Sequence, residues 1–317
     1  MSDTPQRRID PESLSRMNAA NVLPLQDVFV NCMKGKVALV SGGASGLGYM
    51  VVSRLCEAGA RVVIASRGEE RAQRALADFK EKGYEVSWIR TDVSKVSDCY
   101  AAVDYAIETY GSLDVLVTSA AGWSSYSYLD IPESVYDRVM DTDLKGSYFM
   151  GQAAARYMVA NKIKGKIVFI SSAAHLGEGP KGIGMNSYYA AAKAGVVAMT
   201  KTVSGELRQY GINVNCVAPG GMLSAGVFTE GSEAFALYGP EYKKVRDSHG
   251  ANSADPTPLA MNPDEVALAV FAMCTPMANF MQGETINVNG GTLMITQERP
   301  FSFTVEGCIP GPKRNDE

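Results

Sequence analysis

One patterned stretch near the start limits the folds open to this chain. Lys36-Val37-Ala38-Leu39-Val40 is a short apolar run suited to a strand buried on both faces, and it passes directly into Ser41-Gly42-Gly43-Ala44-Ser45-Gly46-Leu47-Gly48. Tyr49 to Cys56 then reads as a helix. A strand, a glycine-rich turn and a helix start bring backbone N–H groups and the positive end of a helix dipole together, an arrangement suited to phosphate oxygens. Gly42 and Gly46 would let the backbone turn tightly, and Gly48 would let the helix or a ligand approach closely. Similar turns also occur without a ligand, so the motif gains its weight from its place in the chain.

The same unit recurs down the chain. Further apolar runs lie at Arg61 to Ala65, Tyr84 to Ile89, Leu113 to Val117, Gly165 to Ile170, Asn213 to Val217 and Glu284 to Val288. Helical patterns fill the intervals, over Glu69 to Lys82, Lys95 to Tyr110, Ser134 to Ala160 and from Tyr189 to about Tyr210. Strictly alternating strands and helices predict an α/β fold, a doubly wound parallel sheet with helices on both faces. Ligands of such sheets lie outside the carboxyl ends of the strands. Ser66-Arg67, Asp92-Val93, Thr118 to Gly122, Ser172 and Pro219-Gly220 all fall at such ends.

Composition narrows the function. The 317 residues are 46% hydrophobic and carry a net charge of -4, which supports a large core and offers no basic field for nucleic acid or anionic membrane. Six scattered cysteines without a C-x-x-C pair, and only His175 and His249, argue against a disulfide framework or a metal site. The N-terminus lacks a signal-like apolar core and no apolar run spans a bilayer, so a soluble cytoplasmic protein is expected. Residues 1–34 read as an N-terminal extension, 35–291 as one domain, 224–262 as a long segment covering its ligand site, and 292–317 as a tail.

Two places suggest chemistry. Tyr189 and Lys193 are four residues apart on an Ala-rich helix, so both side chains face one way. A free phenol loses its proton near pH ~10, and a neighbouring cation lowers that value toward neutrality, where a tyrosine can serve as acid or base. Ser66, ending the second apolar run, stands where an acid would select NAD; with Arg67 beside it, the pair suits the 2′-phosphate of NADP.

With these residues in order, the chain resembles the short-chain dehydrogenase/reductase family from about Gly35 to Gly291. The markers are Gly42, Gly46 and Gly48; Asp92-Val93; Thr118 to Gly122; Ser172; Tyr189 with Lys193; Pro219-Gly220; and Val288-Asn289-Gly290-Gly291. The resemblance implies one Rossmann-type domain with a seven-stranded parallel sheet, and hydride exchange between a nicotinamide and a secondary alcohol or ketone. It implies Tyr189 as general acid/base, Ser172 on the substrate oxygen, and Lys193 on the nicotinamide ribose. It also implies cofactor contacts from Gly42, Ser45, Gly46, Leu47 and Gly48 at the phosphates, Asp92 and Val93 at the adenine, Ser119 and Ala120 in the loop after the fourth strand, and Pro219, Gly220 and Met222 at the nicotinamide. A homodimer or homotetramer is further implied.

Three departures stand out. Asp143 occupies the family's asparagine place, where it could still anchor a relay water but would pull the Lys193 pKa upward. Thr118-Ser119 replaces two asparagines, and the interval from Ser172 to Tyr189 is longer than usual. Asp143 and Ala120-Ala121-Gly122 also resemble the 2,4-dienoyl-CoA reductase branch, which lacks the tyrosine that this chain keeps. Trp123, Tyr126, Tyr128, His175, Leu176, Met185, Met222, Leu223 and the 224–262 segment suggest a bulky apolar substrate. The family resemblance, in which hydroxysteroid dehydrogenases are a common branch with a lid here, implies first a hydroxysteroid or bile acid, then a 3-oxoacyl or enoyl thioester, a polyketide ketone or another cyclic alcohol. A non-catalytic NADP-binding sensor or scaffold is the reading from another class.

Overall fold

The computed structural model describes residues 25–124, 126, 128–177, 186–222 and 263–289. The expected lid over 224–262, the tail over 292–317, and Met185, Leu223, Gly290 and Gly291 lie outside these residues.

Seven strands form one parallel sheet: β1 Val37–Ser41, β2 Arg61–Ser66, β3 Val86–Arg90, β4 Val115–Thr118, β5 Lys166–Ile170, β6 Asn213–Pro219 and β7 Thr285–Val288. Their order is β3-β2-β1-β4-β5-β6-β7. Each neighbouring pair runs parallel, as the continuous apolar runs require. The order reverses between β1 and β4, and there the connections leave to opposite faces and open a crevice above the strand ends.

The α-helices among the described residues are α1 Leu25–Phe29, α2 Gly46–Glu57, α3 Glu69–Glu81, α4 Val96–Tyr110, α5 Glu133–Val139, α6 Gly146–Ala160, α7 Ser187–Leu207 and α8 Pro263–Cys274. One face of the sheet is covered by α2 and α8, whose Val51, Leu55, Val266 and Val270 are wholly buried against Val40, Ile64 and Val117. The other is covered by α4, α6 and α7, with Cys99, Met150, Met158 and Val196 packed on Leu39, Leu116 and Phe169. Each large apolar side chain so buried stabilises the fold by about 1.5–3 kcal/mol before chain entropy is set against it. Arg54 on α2 grips Asp264 on α8 through two parallel hydrogen bonds, Nε to Oδ1 at 2.9 Å and Nη2 to Oδ2 at 2.5 Å, which fixes the rotation of one helix against the other.

Met33, within the expected extension, is buried in the core and its N–H donates to the Ala58 carbonyl at 3.1 Å. The elements depart from the sequence pattern in two places. Helix α8 has no counterpart among the helices expected from sequence, because a helix apolar around most of its circumference lacks the period that marks an amphipathic one. Its start is nonetheless signalled by Pro263-Asp264-Glu265, a proline and two acids in a first turn. The single helix expected from Ser134 to Ala160 is instead α5, a π-helical turn over Met140–Lys145, and α6. The widened turn carries helical backbone through all three pieces but rotates Thr142 and Asp143 inward.

Gly146, the first residue of α6, sits against the Val93 loop, where an added Cβ would lie 2.8 Å from the Val93 carbonyl oxygen. Backbone cannot swing aside as a flexible side chain can. Gly146→Ala is therefore expected to destabilise the protein by about 1–3 kcal/mol, seen as a fall of several degrees in Tm. An unchanged Tm would show that this close approach constrains nothing.

Candidate active site

The glycine-rich turn leaves β1 at Ser41 and enters α2 at Gly46, with Gly42 and Gly46 both at positive φ. A Cβ on Gly42 would stand 2.8 Å from the Ala120 amide nitrogen across the crevice, and one on Gly48 would run into the Gly42 carbonyl. Ser45 occupies the N-cap of α2 yet makes no side-chain capping bond, and Leu47 and Gly48 are buried behind it. Backbone donors at an uncapped helix start, reached through a turn without side-chain bulk, fit a dinucleotide pyrophosphate.

Around that turn stand the residues expected to hold the adenosine half. Ser66 ends β2 on the same face as Ile64, whose side chain approaches Gly43. Its hydroxyl accepts from the Trp88 indole N–H at 3.0 Å, a partner on β3 that sequence reasoning missed. Arg67 is exposed just beyond. Burial would push the Asp92 carboxyl up, but hydrogen bonds from the Ser94 amide and hydroxyl, with Arg67 and Lys95 nearby, hold it below its ordinary value. Val93 is buried against Gly146 and Cys99. On the outer side of the turn a cavity of about 430 Å³ is lined by Ser45, Tyr49, Arg71, Arg74 and Asp78 among others, so two more guanidinium groups border the Ser45 side.

The loop after β4 keeps its place despite the missing asparagines. The Ser119 N–H donates to the Ser41 carbonyl at 3.1 Å, the Ala120 N–H to the Ser41 hydroxyl at 3.2 Å, and the Gly122 N–H to Asp143 Oδ1 at 2.6 Å. Farther on, wholly buried Ser124 receives a hydrogen bond from Arg138 at 2.7 Å, and its carbonyl accepts from the Tyr188 hydroxyl at 2.5 Å. Those bonds join the loop to α5 and to the start of α7, beside Tyr189. Tyr126 packs into the same small cluster with Val135, Val139 and Tyr188, so it holds the loop rather than standing free.

Ser172, Tyr189, Lys193 and Asp143 converge where β5, α7 and the π-helical turn meet. The Ser172 hydroxyl caps a short helical turn by accepting from the Ala174 N–H at 3.2 Å, and the Ser172 carbonyl lies 2.7 Å from His175 Nδ1, which makes His175 a support of its own loop. Lys193 is 2% exposed, and its Nζ donates to the Ile170 carbonyl at 3.1 Å, lies 5.5 Å from the centre of the Tyr189 ring and stands 3.3 Å from Asp143 Oδ2. The Ser171 hydroxyl donates to the Lys193 carbonyl at 2.8 Å, so the lysine is tied to the end of β5 at both its backbone and its tip. Gly195, two residues on, admits Leu144 of the π-helical turn, since an added Cβ would meet Leu144 Cδ1 at 2.9 Å. That contact brings Asp143 up to the lysine.

The electrostatics differ from the sequence expectation in one respect. Burial pushes the Tyr189 phenol above its ordinary value; Lys193 and Ser172 oppose the rise, and Asp143 adds to it. In the protein alone, therefore, the cation does not bring the phenol down toward neutrality. Burial would lower the Lys193 ammonium, but Asp143 and Tyr189 overcome that and raise it, as the Asp143 substitution leads one to expect. Burial also pushes the Asp143 carboxyl up, against the pull of Lys193 and the Gly122 N–H.

On the far side, Pro219 and Gly220 end β6, with the Gly220 N–H donating to the Val288 carbonyl at 2.8 Å, and half-buried Met222 packs on the adjoining core. Among the described residues, no group of three or more His, Cys, Asp or Glu is placed to hold a metal ion, and no helix is long and apolar enough to cross a membrane. Tyr128 is largely exposed, Leu176 is about half so, and Trp123 is half-buried.

Residues 36–233 match the family model described as short chain dehydrogenase. The (21S)-21-acetoxyl-apo-melianone synthase of Melia azedarach is 34% identical over 82% of this chain and 90% of its own length. Sorbitol dehydrogenase of Cereibacter sphaeroides is 32% identical over 83% of this chain and 99% of its own. Among solved structures, a variant of actinorhodin polyketide ketoreductase with NADPH superposes with a TM-score of 0.69, at 28% identity over 81% of this chain and 96% of that one. From sequence, sheet order and the grouping of Ser172, Tyr189 and Lys193 together, the chain belongs to the short-chain dehydrogenase/reductase family.

Proposed function

We propose that this oxidoreductase uses NADP(H) to interconvert a secondary alcohol and a ketone on a bulky apolar substrate. The observation that carries the reading is the convergence of Ser172, Tyr189 and Lys193 beside a crevice whose turn is stripped of side chains. When bound, the nicotinamide would supply or accept the hydride. Tyr189 would give its proton to the ketone oxygen in reduction and take it from the hydroxyl in oxidation. Ser172 Oγ accepts from the Ala174 N–H, and its own proton, which in the protein alone is directed at the Tyr189 phenol, would turn toward the substrate oxygen as negative charge develops there. Lys193 would hold the ribose hydroxyls while its charge favours the phenolate. Because burial keeps the phenol protonated, the protein alone stands in the proton-loaded form that reduction needs.

Preference for NADP rests on the absence of an acid at the end of β2 and on the charge around it. Ser66 offers a hydroxyl, Arg67 an exposed guanidinium, and Arg71 and Arg74 line the cavity beside Ser45. For the substrate, Trp123, Leu176 and Met222 offer apolar surface near the strand ends, which suits a hydroxysteroid or bile acid better than a polyol. A 3-oxoacyl or polyketide ketone is the second reading, supported by the likeness to a polyketide ketoreductase solved with NADPH. Free thiols at Cys32, Cys56, Cys99, Cys216 and Cys274 suit a reducing, cytoplasmic setting. A homodimer or homotetramer is proposed through the α5–α6 and α7 surface, where Tyr136 and Tyr148 are exposed.

Tyr189→Phe is expected to abolish turnover, a loss of at least about a hundredfold, with NADPH affinity kept; near-normal activity would sink the assignment. Arg67→Ala should raise the KM for NADP about tenfold or more, the loss of one charge-assisted contact, and scarcely change that for NAD. Equal effects on both cofactors would refute the 2′-phosphate role. Light scattering should give a dimer or tetramer mass, and a monomer would contradict the proposed assembly.

A further inference from the structure

Asp143 is the least expected charge in the molecule. It is 0% exposed, lies in the π-helical turn between α5 and α6, and reaches the crevice from below the catalytic group. One carboxylate oxygen accepts from the Gly122 N–H at 2.6 Å. The other stands 3.3 Å from Lys193 Nζ, an ion-pair contact outside hydrogen-bond geometry, and has no hydrogen-bond partner among the described residues. Asparagine could accept the Gly122 bond equally well. What only aspartate contributes is a negative charge, in a place where water cannot screen it.

We infer that Asp143 is a charge-setting positioning residue, which cancels the Lys193 cation and thereby shifts the site toward the oxidised, cationic form of the nicotinamide and toward a protonated Tyr189. The inference rests on the proposed nicotinamide-dependent reading. A buried lysine without a counter-ion is costly, so Lys193 and Asp143 are buried together as an ion pair of zero net charge. The groups facing the pair are Tyr189 on α7, Ser172 after β5, and Cys216 on β6, whose thiol is neutral because burial pushes it up to about 11. Among the described residues, these groups include no second cation. Asp143 thus offsets part of the positive potential that Lys193 sets up at the phenol and at the nicotinamide pocket. A positively charged ring then meets less repulsion, and its own charge adds to that of Lys193 in drawing the phenol toward ionisation. The Gly122 bond adds a geometric role, since it ties the β4 loop to the same carboxylate.

The test uses Asp143→Asn, which keeps the shape and the Gly122 bond, with Asp143→Ser as a second charge-free variant. Dissociation constants for NADP and NADPH are measured by fluorescence on the intact protein. In either variant the ratio Kd(NADP)/Kd(NADPH) is expected to rise about tenfold, the scale of one poorly screened charge. Removing the negative charge also favours phenolate, so the alkaline limb of ketone reduction, where Tyr189 loses its proton, should move to lower pH by about one unit. A merely structural role would change both affinities alike and leave the limb in place, and that result overturns the inference. So does failure of both variants to fold, which would make Asp143 a scaffold residue. If the unaltered protein bound neither cofactor form, the parent reading would fall instead.

Discussion

The ion pair between Lys193 and Asp143 is the interaction on which the rest of the site depends. It lies under the crevice and joins α7, the π-helical turn and, through the Gly122 N–H, the loop after β4. Removing one partner of such a pair typically costs about 3–5 kcal/mol, because the other is left as an uncompensated buried charge. Structure and chemistry therefore cannot be separated at this point. Lys193 is also bound to the end of β5 through its Nζ to Ile170 and its carbonyl from Ser171, so the tyrosine one turn earlier inherits its position from the sheet.

The sheet itself is organised to leave room above that pair. Reversal of strand order between β1 and β4 opens the crevice, and Gly42 and Ala120 face each other across it at a distance no side chain on Gly42 would allow. The same economy of bulk recurs at Gly48, Gly146 and Gly195, each beside a different wall of the site: the turn, the Val93 loop and the lysine helix. Around this scaffold the polar contacts are short and local. Ser41 holds the β4 loop, Trp88 holds Ser66, and Arg138 with Tyr188 holds Ser124.

Most of the fold was legible in the sequence because parallel strands buried on both faces read as continuous apolar runs, and the helices between them as amphipathic ones. Boundaries moved by one to three residues, as at β1, which includes Ser41, and at α2, which begins at Gly46 rather than Tyr49. The π-helical turn was not legible: its residues have ordinary helical character, and only packing against α7 reveals that Asp143 turns inward. Helix α8 was hidden by its own burial. At the site, Ser172, Tyr189 and Lys193 were marked by spacing, but Trp88, Ser124, Arg138 and Tyr188 were not, since they act through contacts between elements far apart in the chain. The direction of the Tyr189 shift was also beyond the sequence, which shows the nearby cation and not the burial that outweighs it.

Taken together, these interactions describe a tyrosine that is positioned by the protein and left protonated by it, with ionisation awaiting the charge of a bound cofactor. The most direct measurement is the titration of the Tyr189 phenol by NMR of protein labelled at the tyrosine ring carbon that bears the hydroxyl, assigned by comparison with Tyr189→Phe, with and without NADP. The account predicts a pKa above that of a free phenol in the protein alone, and a clear fall when NADP is added. A phenol already titrating near neutrality in the protein alone, and unmoved by NADP, would contradict it.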